Sequence, residues 1–199
     1  MKRIAITQRV DSAENYEERR DALDQNWHTF LHEVDIIALP LPNTPASVQT
    51  IVSEIKFDGI ILSGGNDLAL YGGDAPERDE TEKILLDHAI KQDIPLMGVC
   101  RGLQFIQVAF GATLHRVANH VAVNHKISFD THADTVNSFH NFGTTEGVSA
   151  LVTMAVAEDG VIEAVSHRDH RIHGIMWHPE RESPFRPSDI KLFQDFFGA

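Results

Sequence analysis

The one cysteine of the chain, Cys100, stands in the run Pro95-Leu-Met-Gly-Val-Cys-Arg-Gly-Leu-Gln104, with a glycine two residues before it and another two after. The residues ahead of it are apolar and strand-like, and a helical pattern starts directly behind it. This is the G-x-nucleophile-x-G arrangement, in which small neighbours let the backbone pass close by and the central side chain stands out on a sharp strand-to-helix turn. The helix that follows points its N-terminal amides at the sulfur, which favours thiolate over thiol. The amide of Arg101 is placed to donate to a developing oxyanion. A free cysteine is ordinarily a small buried hydrophobe; glycines flanking a strand–helix junction shift the reading to a nucleophile.

A thiol nucleophile works with an imidazole beside it and a carboxylate behind the imidazole. Twelve histidines compete for that place. His178 closes the apolar run His173-Gly-Ile-Met-Trp-His178 and is followed by Pro179 and Glu180. Pro179 biases His178 toward extended backbone. In an extended chain residues two apart share a face, so the imidazole and the Glu180 carboxylate are expected side by side. No other histidine combines a strand end, a following proline and a carboxylate at that offset. The histidines at 115, 120, 125 and 132 are five to seven residues apart. That spacing fits neither one helix face nor a tight metal loop, so no metal ion and no cofactor are expected.

Cys100 and His178 lie far apart in the chain, so the fold has to bring two strand ends together. Short β-branched runs alternate with longer amphipathic stretches over the first two-thirds, which predicts βαβ units and a parallel sheet. Strands are expected at Arg3–Thr7, Asp35–Leu39, Gly59–Leu62 and Pro95–Val99, and helices at Tyr16–Glu33, Ala46–Ile55, Pro76–Gln92 and Gly102–Phe110. Leu151–Ala157, Val161–Ser166 and Ile172–Trp177 read as three strands joined by turns at Asp159-Gly160 and Arg168-Asp169. Ser188–Phe197 reads as a final helix. The expected architecture is one α/β domain over residues 1–199, with antiparallel strands in its later half. In parallel α/β sheets the active site lies at the carboxyl ends of the strands, where both candidate segments end.

Composition narrows the function classes. The 199 residues are 42% hydrophobic and 23% charged, and 17 Lys+Arg against 29 Asp+Glu give a formal net charge of −12. Such a surface repels nucleic-acid phosphates and anionic lipid, so neither is the expected partner. No segment approaches the roughly 20 apolar residues that span a bilayer. One cysteine allows no internal disulfide, and a reducing, cytoplasmic location is the expectation.

Gly98-Val-Cys-Arg-Gly-Leu-Gln104 together with His178-Pro-Glu180 resembles the class I glutamine amidotransferases and their γ-glutamyl hydrolase relatives, peptidase family C26. The likeness runs from Ile4 to the last helix. It implies a flavodoxin-like three-layer sandwich around a mostly parallel sheet. It also implies Cys100 as nucleophile, His178 as general base and then acid, and Glu180 as the group orienting the imidazole. Ser63-Gly64-Gly65 follows a strand and resembles the family's glycine turn, implying an oxyanion hole from the Gly65 and Arg101 amides with Gly64 beside it. Gln104 matches a glutamine that helps hold the glutamyl group. Val136–Asn141 resembles the segment lining the glutamyl pocket, with Ser138, Phe139 and His140 as the implied contacts.

By the same resemblance the chain takes a small-molecule γ-glutamyl substrate and releases glutamate through a thioester. Arg101-Gly-Leu-Gln104 and Glu77-Arg-Asp-Glu-Thr-Glu82 look like the C26 hydrolases more than the ammonia-supplying amidotransferases. Against the γ-glutamyl-aminobutyrate type, the chain is short and its turn reads Ser-Gly-Gly-Asn. Thr7–Val10 and Arg20–Trp27 resemble small C26-type proteins of bacterial surface-polysaccharide clusters, implying a nucleotide-linked γ-glutamyl phosphoramidate as substrate. Arg9, Arg19 and Arg20 would then be phosphate partners. A glutaminase subunit serving a synthetase is the rival, and a homodimer also stays open.

Overall fold

The computed structural model describes all 199 residues. Its first half contains β1 (Lys2–Ile6), β2 (Arg9–Ser12), β3 (Arg19–Ala22), α1 (Asn26–Glu33), β4 (Ile36–Pro40), α2 (Pro45–Glu54), β5 (Gly59–Leu62), α3 (Pro76–Gln92), β6 (Leu96–Val99) and α4 (Arg101–Ala109). The second half contains β7 (His115–Arg116), β8 (Val121–Phe129), β9 (Ala133–Phe139), β10 (Phe142–Gly143), β11 (Leu151–Ala157), β12 (Ile162–His167), β13 (Ile172–Ile175) and α5 (Pro187–Phe197). Nine strands form one sheet in the order β4-β1-β5-β6-β13-β12-β11-β8-β9. The first five are mutually parallel, and from β12 onward each pairs antiparallel with its neighbour.

Alternation along the central strands builds the core on both faces. Ile4, Ile6 and Ile61 point to one side, where Trp27, Phe30 and Leu31 of α1 and Phe193 and Phe197 of α5 cover them. Ala5, Ile60 and Leu62 point to the other, against Val48 and Val52 of α2, Leu85 and Ala89 of α3, and Leu103 and Ile106 of α4. Two helical layers around a sheet are what a run of buried parallel strands requires. The helices begin where local chemistry allows. Proline occupies the first turn of α2, α3 and α5, where its missing N–H costs nothing, and Glu77 and Asp79 add acid at the positive end of α3.

One expectation fails. The helix predicted over Tyr16–Glu33 starts only at Asn26, and the residues ahead of it form the β2–β3 hairpin. Glu14 to Arg20 carries almost no apolar side chain to line a helix face, and Asp24 caps the Asn26 amide at 3.0 Å. The hairpin is pinned from outside: Asn66 exchanges two hydrogen bonds with the Val10 backbone, at 2.8 and 2.9 Å.

Candidate active site

Cys100 directly follows β6, and His178 lies three residues beyond β13. These strands are parallel neighbours, with Val99 opposite Ile175 and the Cys100 amide donating to the Ile175 carbonyl at 2.8 Å. Pairing in the sheet therefore carries both side chains to one edge. Cys100 has φ +53° and ψ −105°, a left-handed backbone rare for a side-chain-bearing residue, and such strain collects at functional turns. The turn also needs Gly102: a Cβ there would overlap the Leu62 carbonyl of β5.

The imidazole of His178 faces the Cys100 sulfur, close enough for each to shift the pKa of the other. Both side chains converge over Gly64. A Cβ on that residue would sit 2.7 Å from His178 Cε1, 3.5 Å from Nε2 and 3.6 Å from Cys100 Cβ. His178 Nδ1 lies 2.7 Å from Glu180 Oε1, with both residues 2% exposed. Since the carboxylate can only accept, Nδ1 carries the proton and Nε2 is turned to the sulfur. The expected adjacency of His178 and Glu180 holds, but extended chain does not produce it. Pro179–Arg181 is a single 3-10 turn that folds the carboxylate back under the ring. Asn137 of β9 clamps the histidine backbone, accepting from its amide at 2.8 Å and donating to its carbonyl at 2.9 Å.

Burial opposes charge on both reacting groups, and their mutual attraction overcomes it. Desolvation pushes the Cys100 thiol up, but facing His178, with His140 and Arg181 farther off, brings it below the ordinary thiol value. Desolvation likewise lowers His178, while the sulfur and then Glu180 raise it to about 9. Both shifts act in the direction of a thiolate–imidazolium pair.

The expected glycine turn, Ser63 to Gly65, is held by a buried ion network drawn from the Glu77–Glu82 segment that resembles the C26 hydrolases. Arg78 of α3 is fully buried. It donates to the Ser63 carbonyl at 2.7 Å, to the Gly64 carbonyl at 3.1 Å and to the Gly65 carbonyl. Its partner Glu82, 3.0 Å from Arg78 Nε, also takes the guanidinium of Arg101, which pairs in addition with Asp79. Burial and neighbouring Arg101 lower the Arg78 pKa to about 10. One helix thus ties the glycine turn to the residue after the nucleophile. The signal was the i, i+4 spacing of Arg78 and Glu82 on the same face as buried Leu85 and Ala89.

The remaining expected contacts divide. A cleft of about 210 Å³ opens beside His178, lined by Gly64, Gly65, Arg9, Arg181 and the Ala22–Asp24 end of the hairpin, among others. Phe139 sets its ring edge-on to His178 at 5.7 Å, with Arg181 stacked on its other side at 4.5 Å. Ser138 and His140 alternate to the opposite face. Ser138 donates to the His120 carbonyl at 2.8 Å, and His140 meets Glu163 and the Phe142 carbonyl. Gln104 donates to that same carbonyl at 2.9 Å. Of the three arginines, only Arg9 reaches the cleft, and all three are ion-paired, Arg9 with Asp11, Arg19 with Glu77 and Arg20 with Glu18. The histidines whose spacing argued against a metal are partly assembled by strand pairing: His120, His125 and His140 converge on buried Glu163. Burial disfavours charge on His140, but Glu163 holds its pKa above the ordinary value.

Comparison with known proteins gives the fold and the family. The chain is 34% identical over 198 residues to the γ-glutamyl-CDP-amidate hydrolase of Campylobacter jejuni, covering 98% of this chain and 96% of that one. It is 31% identical over 183 residues to the γ-glutamyl-γ-aminobutyrate hydrolase of Escherichia coli O157:H7, covering 72% of each. Among solved structures, a GMP synthase component from Thermoplasma acidophilum superposes with a TM-score of 0.71 at 20% identity, over 100% of this chain and 93% of that one. A glutamine amidotransferase from Thermotoga maritima does so at 0.64 and 15%, over 97% and 82%. These likenesses place the fold among the class I glutamine amidotransferases. The family model of peptidase C26 matches residues 3–134 and 127–180, and with the relative aligned over nearly its whole length this shows that the chain belongs to the peptidase C26 family.

Proposed function

We propose that this protein hydrolyses a γ-glutamyl amide through a covalent thioester on Cys100. The observation that carries the reading is the Cys100–His178–Glu180 constellation at the carboxyl edge of adjacent parallel strands, buried, with His178 and Glu180 lining a cleft. The Cys100 thiolate attacks the γ-carbonyl carbon, and the electron pair moves onto oxygen. The amides of Gly65 and Arg101 receive that oxyanion, and Arg78 supports the arrangement by holding the carbonyls of the glycine turn away from it. Collapse breaks the C–N bond as imidazolium His178 gives its proton to the leaving nitrogen. Neutral His178 then takes a proton from water, the hydroxide attacks the thioester, and glutamate leaves as the thiolate reforms. Glu180 holds the tautomer throughout. No step calls for a metal or cofactor.

For the leaving group we favour a nucleotide-linked phosphoramidate, so that the products are glutamate and a cytidine diphosphoramidate. The likeness to the C. jejuni γ-glutamyl-CDP-amidate hydrolase supports this. So do Arg9 and Arg181, two cations at the cleft of a chain whose net charge is −12, since guanidinium suits phosphate oxygens. The test is to incubate purified protein with γ-glutamyl-CDP-amidate, γ-glutamyl-aminobutyrate and glutamine, and to measure free glutamate. The expected result is turnover of the nucleotide-linked compound at least about tenfold above the others in kcat/KM, a modest demand on two charge-assisted contacts. Turnover of glutamine alone, dependent on an added synthetase, would overturn the hydrolase in favour of a glutaminase subunit.

A further inference from the structure

His120, His125, His140 and Glu163 belong to no step of the reaction above, and their geometry asks for a cation. Glu163, at the start of β12, is completely buried, and neither carboxylate oxygen finds a hydrogen-bond donor; His125 Nε2 also lacks a partner. His120 Nε2 lies 2.9 Å from the Asp159 carboxylate, and His140 Nδ1 lies 2.9 Å from the Phe142 carbonyl. Both partners can only accept, so both rings carry their proton on the outward nitrogen. The inward nitrogens, His120 Nδ1 and His140 Nε2, meet at 3.1 Å, and in the neutral rings both carry lone pairs. Glu163 Oε1 lies 3.5 Å from the first and 3.3 Å from the second, and Oε2 lies 3.4 Å from His125 Nε2.

Groups packed this closely need positive charge among them, either a ring proton held against Glu163 or a bound cation. A tetrahedral zinc ion with bonds of about 2.0–2.1 Å has ligand–ligand edges of about 3.3–3.4 Å. The three contacts among His120, His140 and Glu163 bracket that edge, and the donor atoms of His120, His125 and Glu163 lie within 4.8 Å of one another. The outward bonds to Asp159 and Phe142 are the second set of contacts that orients metal-bound imidazoles.

We propose that His120, His125, His140 and Glu163 form a structural site for a divalent transition metal, with Zn²⁺ as the matching ion. Three imidazoles and a carboxylate suit zinc, while a hard ion such as Mg²⁺ prefers oxygen donors. The donor atoms of His120, His125 and Glu163 lie within mutual reach, with His140 beside them 3.1 Å from His120, so the ion would act by tying β8 and the end of β9 to β12. β9 carries Asn137, the clamp on the His178 backbone, so the ion would steady the histidine from a distance.

The test uses tag-free, full-length Cys100→Ala protein, which removes the thiolate as a competing zinc ligand. Zn²⁺ is titrated against a chromogenic chelator, and Co²⁺ serves as a spectroscopic probe. The expected result is one equivalent of Zn²⁺, a rise in Tm of several degrees on binding, and intense visible Co²⁺ bands of tetrahedral type. His125→Gln and Glu163→Gln should each weaken binding by at least about tenfold, the lower end for orienting contacts alone. Failure to bind Zn²⁺ at about 100 µM, an octahedral Co²⁺ spectrum, or undiminished binding in His125→Gln would overturn the proposal. The Co²⁺ spectrum decides the matter even if Glu163→Gln does not fold. None of these readouts depends on hydrolase activity, so this proposal and the proposed reaction fail separately.

Discussion

At the scale of the residue, the site works by setting two unfavourable burials against each other. A lone thiolate or a lone imidazolium in this environment would revert to its neutral form. Placed face to face, each stabilises the other, and Glu180 fixes the direction of the imidazole. The shifts give a testable pH dependence. His178 titrates at about 9, so kcat/KM should fall on the alkaline side through about pH 9 as the leaving-group proton is lost. It should fall on the acid side only once the thiolate, already below the ordinary thiol value, is protonated. Because the sulfur is the foremost group raising His178, Cys100→Ala should lower the histidine pKa, as read by NMR titration of the ring protons. A ring that still titrates near 9 in that variant would refute the ion pair. Cys100 and His178 were legible in the sequence because a glycine-flanked elbow and a His-Pro-Glu run are local patterns. The segment around Arg78 stood out by resemblance, but its burial and its hold on the glycine turn did not, because only a packed helix face creates them.

At the scale of the element, α3 is the least conspicuous part of the machinery. Its first turns carry Arg78, Asp79 and Glu82, and these reach both the glycine turn and the residue after the nucleophile. Carbonyls drawn toward Arg78 leave the amides of the turn free to face the cleft. Arg78→Lys keeps the charge but loses the planar fork that reaches several acceptors at once. We expect kcat to drop by about tenfold to a hundredfold, below the full cost of losing an oxyanion donor, with KM for the substrate little changed. Stability should fall by about 1–3 kcal/mol from carbonyls left without donors. Steady-state kinetics alongside thermal melts check this; a lowered Tm with unchanged kcat would make the network structural only. The β2–β3 hairpin was missed for a related reason. Its residues are polar, and what holds them is Asn66, more than fifty positions away in the chain.

At the scale of the whole molecule, the surface is strongly acidic while the cleft offers Arg9 and Arg181. Asp24 and Glu180 line the same cleft, and Asp11 pairs with Arg9, so the proposed preference for a negatively charged leaving group rests on the Arg9 and Arg181 guanidinium groups rather than on net charge. Arg9→Glu should raise KM for the nucleotide-linked substrate by about tenfold, roughly one charge-assisted contact. It should leave KM for a γ-glutamyl amide with an uncharged leaving group nearly unchanged. The difference should shrink with added salt, because Arg9 is half exposed. Equal effects on both substrates would place Arg9 outside the leaving-group subsite.

No helix is long and apolar enough to cross a membrane. The alternation of strands and helices, the glycine-flanked Cys100 turn, the His178-Pro-Glu180 run and the acidic balance were readable from the chain alone. Each is expressed within a few residues, where periodicity, turn chemistry and formal charge act directly. Tertiary structure decided which strand ends meet, which of Arg9, Arg19 and Arg20 faces the cleft, and that three histidines and a glutamate share one buried point. Those outcomes depend on pairing between strands distant in sequence, and a spacing rule built for one helix or one loop does not register them.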